Sequence, residues 1–123
     1  ENILKAYNQA KEAFIFLGWA GQRDSEILKI SFDLHGATYK VPNSYFNCIK
    51  AFKENSINFT SKIFDNVWIK EYENLDDLVK DQAWHLKMRG IEPDLIALKE
   101  KLGKLNTLVD KTYVKQGVVV CAR

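Results

Sequence analysis

Residues 27–41 read ILKISFDLHGATYKV, and the class of the fold turns on them. Apolar Leu28, Ile30, Phe32 and Leu34 alternate with polar Lys29, Ser31, Asp33 and His35. Beyond Gly36, apolar Ala37, Tyr39 and Val41 alternate with Thr38 and Lys40. A period of two is the pattern of a half-buried strand. With His35 and Gly36 as a two-residue turn, Leu34 faces Ala37, Phe32 faces Tyr39 and Ile30 faces Val41. All three pairs lie on one side, so the turn and the register agree. The expectation is a hairpin over 27–41 in a chain that otherwise reads mostly helical.

On the N-terminal side, Ile3, Tyr7, Ala10, Phe14 and Leu17 recur at three- and four-residue steps and predict a helix over 2–17. Gly18 and Gly21 are its expected stop. On the other side, Pro42 ends the hairpin and Asn43 or Ser44 caps a helix over 44–54, with Tyr45, Cys48, Ile49 and Phe52 facing inward. Residues 57–72 read as a second hairpin turning at Asp65-Asn66, since both residue types tolerate positive φ. Asn74 caps a helix over 75–89, with Asp76 and Asp77 at the positive end of its dipole. Pro93 opens a last helix over 93–115, along which Leu95, Leu98, Leu102, Leu105, Val109 and Thr112 form a seam. The expected fold is α+β: one domain over 1–123, with a four-stranded, mainly antiparallel sheet covered by helices.

The composition suits such a domain. The 123 residues are 46% hydrophobic and 28% charged, ordinary values for a globular chain. The net charge of +2 is too small to argue for an acidic partner. No apolar run reaches membrane-spanning length, and no secretory signal is seen, so a cytoplasmic protein without membrane contact is expected. Cys48 and Cys121 are too few and too far apart for a disulfide scaffold and read as free thiols.

The residue types that carry chemistry are scattered. His35, His85, Cys48 and Cys121 have no two members close in sequence, whereas zinc sites usually take ligands in near pairs. Asp77 and Asp81 share a helix face and read as a solvated flank. His35 at a hairpin tip and His85 on a polar flank are expected to face water. No catalytic, cofactor-binding or metal site is assigned, and the protein is expected not to be an enzyme.

Two binding roles remain. The first is binding another protein, a second copy of the chain included, in an inhibitor, immunity-type or adaptor role. Trp19, Trp68 and Trp84 are its candidate contacts, because aromatic residues dominate interface energetics. Exposure of Trp84 would make it a contact, but the expectation places it in the core. The alternative is nucleic-acid binding through a lysine stripe, Lys101, Lys104, Lys111 and Lys115, on the last helix.

Overall fold

The computed structural model describes residues 2–122. In chain order these form α1 (Asn2–Gln9), β1 (Ala13–Ser25), α2 (Glu26–Leu34), α3 (Ser44–Glu54), β2 (Thr60–Glu71), α4 (Leu75–Met88), α5 (Leu95–Gly103) and β3 (Val109–Ala122). The class is α+β, as expected, but the sheet has three antiparallel strands in the order β1-β3-β2 rather than four in two hairpins. The described residues gather into two compact units. The first takes the chain up to Arg23, Val41–Asn66 and the residues from Val114 on. The second takes Asp24–Lys40 and Val67–Tyr113.

The deciding stretch is helical. Residues 27–34 lie in α2, and 35–41 follow without helix or strand beyond a turn, so the hairpin over 27–41 is absent. The buried residues of α2 are Ile27, Leu28, Ser31 and Phe32, a spacing that fits one face of a helix. The alternation misleads at Ser31. This fully buried serine donates its hydroxyl to the Ile27 carbonyl one turn back, at 2.9 Å. A polar side chain satisfied in this way can occupy a core position, and Leu34 turns outward instead. Ser25 starts the helix, its Oγ accepting from the Leu28 N–H at 3.1 Å. Such a cap is worth about 1 kcal/mol.

The second unit packs α2 on α4 and α5. Ile27, Leu28, Phe32, Leu78, Val79, Ala83, Leu86, Leu98 and Leu102 form its core. α4 matches expectation: the Asn74 side chain accepts from the Asp77 N–H at 2.8 Å, with Asp76 and Asp77 in the first turn. The helix expected over 93–115 ends early. Only Leu98 and Leu102 of the leucine seam are buried within α5. Asn106 then takes a positive φ of 52°, which breaks the helical path. The β-branched residues Val109, Thr112 and Val114 continue as strand.

In the first unit, α1 ends at Gln9, and the aromatic run from Phe14 is strand rather than the end of a helix over 2–17. Phe14, Phe16 and Ala20 lie in or against a core with Tyr45, Cys48, Phe52, Val119 and Cys121. Ile15 and Leu17 between them are exposed. The aromatic rings of Tyr7, Phe14, Phe52 and Phe59 pack edge-on or tilted, with centroids 5.3–6.0 Å apart in the contacting pairs. α3 covers the expected 44–54. Gly117 lies in β3. A Cβ there would run into the Tyr45 ring, so only glycine lets the strand lie this close to α3.

A candidate protein-binding edge

β2 is unlike the other strands. All twelve residues of Thr60–Glu71 are exposed. The turn expected at Asp65-Asn66 does not occur, and the hairpin over 57–72 is one unbroken strand. β2 is hydrogen-bonded to β3 as its neighbour in the sheet, and further interactions lie along and just past the pair. Thr60 Oγ1 is 3.5 Å from the Val120 carbonyl, Lys115 Nζ lies 3.0 Å from Asp65 Oδ1, and the Tyr72 N–H donates to the Leu108 carbonyl at 2.8 Å. Asp65 is thus paired across the strands rather than placed in a turn.

With the order β1-β3-β2, β2 has one strand neighbour among the described residues. Its outer side is an edge. Edge strands usually carry charge, proline or bulges that discourage pairing. β2 carries charge but also displays Ile63, Phe64, Val67, Trp68 and Ile69, all large, apolar and exposed, with Ile69 at 65%. Its charged residues are Lys62, Asp65, Lys70 and Glu71. Lys62 Nζ sits 5.9 Å from the centroid of the Phe64 ring.

Beside the C-terminal end of β2 lies an open depression of about 500 Å³ lined by Lys70, Glu71, Tyr72, Glu73, Asp77, Lys80 and Asp81. Asp81 gathers its donors. The Tyr72 hydroxyl donates to Oδ2, Lys70 Nζ lies 3.5 Å from the same oxygen, and His85 Nε2 lies 3.9 Å from Oδ1. The carboxylate is thereby occupied by the fold's own groups. Asp76 is likewise taken, by Lys99 Nζ at 3.0 Å. Among the described residues, no group of three or more His, Cys, Asp or Glu could hold a metal ion together.

His35 does not face water from a hairpin tip. It follows α2, with Nδ1 2.8 Å from the Ser31 carbonyl and Nε2 2.8 Å from the Asp94 backbone N. A backbone N–H can only donate, so Nε2 accepts and Nδ1 carries the proton. Both ring nitrogens are committed to joining α2 to the start of α5, where Asp94 in turn accepts from the Ala97 N–H at 3.0 Å.

The three tryptophans lie on three elements. Trp19 is half-buried on β1, its backbone N–H donating to Ser44 Oγ at 2.9 Å and its ring 5.2 Å from the Arg23 guanidinium. Trp68 is 37% exposed on β2. Trp84, expected in the core, is 55% exposed on α4 and packs edge-on to His85. Its place beside the buried stripe of α4 leaves it outside. Of the three, only Trp68 belongs to the apolar edge.

The lysine stripe is not one helix face. Lys101 lies in α5 and Lys104 caps it, whereas Lys111 and Lys115 belong to β3. Lys104 Nζ is 3.6 Å from Glu100, Lys111 lies over the Tyr113 ring, and Lys115 pairs with Asp65. Cys48 and Cys121 are both buried thiols that form no disulfide. Burial and the neighbouring Cys121 push the Cys48 thiol up to about 11, away from nucleophilic reactivity. No helix among the described residues is long and apolar enough to cross a membrane.

Sequence reasoning missed the edge because exposure of β2 depends on strand order. The available signal was the run Ile63, Phe64, Val67, Trp68, Ile69, too apolar on both faces for a strand with one wet side. Compared with protein-family models, curated proteins and solved structures, the chain finds no significant match.

Proposed function

We propose that this protein acts by binding another protein, and that its binding element is the open side of β2. One observation carries the reading: an edge strand exposed over its whole length presents five large apolar side chains. Strand addition to such an edge supplies main-chain hydrogen bonds for affinity, while alternate side chains supply specificity. Trp68 lies within the apolar run of the element, and aromatic side chains are common anchors of interfaces. An inhibitor, immunity-type or adaptor role is served by this mode of binding, which requires no turnover.

A photo-crosslinking residue at position 69 tests the proposal in cells of the native host. The control is the same residue at Ile96, an apolar position on α5 that is 83% exposed. A discrete crosslinked protein product is expected from position 69 and none from 96. Absence of a product at 69, or the same product at both positions, overturns the proposal.

A further inference from the structure

Within the first unit, we infer that Cys48 and Cys121 form a redox latch: exchange with a small disulfide closes them into an intramolecular disulfide that ties β3 to α3. They are the chain's two cysteines, and both are buried. Two contacts between α3 and the sheet bracket them. At one, a Cβ on Gly117 would run into the Tyr45 ring, so the strand comes closer to the helix than a side chain would allow. At the other, the Cys121 thiol donates to the Phe14 carbonyl at 3.9 Å, and the Phe14 ring packs on Phe52 with centroids 5.8 Å apart. Cys48 lies on α3 between Tyr45 and Phe52, and all three are buried. Gly117, Val119 and Cys121 share the buried side of β3. Both thiols therefore enter one cluster with Tyr45, Phe52 and Val119.

Closure is a thiol–disulfide exchange, with oxidised glutathione as a suitable oxidant. One cysteine, as the thiolate, attacks a sulfur of the oxidant and expels one glutathione thiolate, which takes up a proton. The second cysteine then attacks the protein sulfur of this mixed disulfide and expels the other glutathione. Two cysteines lose two hydrogens in total, and the oxidant gains them. A disulfide spans Cα atoms about 4.4–6.8 Å apart, and the bare Gly117 backbone is what lets β3 approach α3 so closely. The thiols also sense each other: burial first, and then the nearby Cys121, raises the Cys48 thiol to about 11. That slows the exchange, because the thiolate is the attacking form, without opposing the closed state. Joining positions so distant in sequence restricts the unfolded chain far more than the folded one, so oxidation strengthens the fold.

The test holds the full chain in mixtures of reduced and oxidised glutathione, in native buffer and in urea, until the oxidised fraction stops changing. Intact mass reads that fraction. Native packing is expected to favour the bridge at least tenfold over the same chain unfolded in urea. The product should lack two hydrogens and yield one peptide joining Cys48 to Cys121 on non-reducing digestion. It should also keep the circular dichroism of the reduced chain. Its urea midpoint should rise, and fall back on reduction. Cys48→Ala and Cys121→Ala, each with a single thiol, should take up at most one glutathione and show no such rise. A wild-type chain that stays reduced, that stops as a mixed disulfide or that joins to a second copy overturns the inference. So does a bridge no more favoured in native buffer than in urea, or one that forms with loss of the fold. The wild-type chain alone decides these outcomes, whether or not either variant folds.

Discussion

β3 and β2 are neighbouring strands of similar length and similarly rich in β-branched and aromatic residues, yet their environments are opposite. β3 buries Thr112, Val114, Gly117, Val119 and Cys121, whereas β2 buries nothing. Composition therefore did not decide which strand became core and which became surface. What covers the strand did: Val119 and Cys121 of β3 lie in the core with Tyr45, Cys48 and Phe52, and no residue of β2 is buried.

The sharpest way to break this comparison is to make one substitution in both strands. Val119 is fully buried and Val67 is 44% exposed. Val119→Asp puts a carboxylate without a partner into the aromatic core of the first unit, at a cost of several kcal/mol. That is a large part of a domain's total stability, and loss of the cooperative urea transition is expected. Val67→Asp should change the unfolding free energy by no more than about 0.5 kcal/mol, measured from urea curves at a dilution where association contributes nothing. Equal losses would mean that β2 is a core strand.

The same contrast shows which parts of the fold were legible. α3 and α4 were readable because Tyr45, Cys48 and Phe52, and then Leu78, Val79 and Leu86, are buried at helical spacing, with Asn74 as a cap. α2 was not, because Ser31 looks polar until its hydroxyl finds the Ile27 carbonyl. The long first and last helices were overextended because apolar residues at three- and four-residue steps continue into strands. Phe14 happens to fall in step with Tyr7, and Val109 with Leu105. The break after Leu105 is marked by Asn106 in the left-handed region, a role that asparagine fills more readily than most residues. For the candidate site, Trp68 was legible as an aromatic contact. Its neighbours on the edge were not, since a strand's exposure depends on partners distant in sequence.

A second, smaller effect sharpens the claim that the inner side of β3 is dry. Cys48 of α3 and Cys121 of β3 share the buried cluster, and burial, then Cys121, raises the Cys48 thiol from 9.0 to about 11. Between those values the unfolded chain has released a proton that the folded chain still holds. Stability therefore falls as pH rises through this window, by roughly 2–3 kcal/mol in all. It is fully present below about pH 9. Urea midpoints at about pH 8.5 and about pH 11 should show this loss in wild type and a smaller loss in Cys48→Ala. An equal loss in both would mean that the thiol is already solvated in the folded protein.

The smallest expected effect concerns the link between the two strands. Lys115 and Asp65 join β3 to β2 at 3.0 Å, but their side chains are 44% and 79% exposed. Exposed ion pairs contribute about 0–1 kcal/mol, because water screens the attraction and two long side chains lose freedom. A double-mutant cycle with Asp65→Asn and Lys115→Met should return a coupling in that range, shrinking further in high salt. A larger coupling that resists salt would place the pair in a shielded setting. β2 would then be covered on that face, and the contrast between a buried central strand and a bare edge would fail where the charges meet.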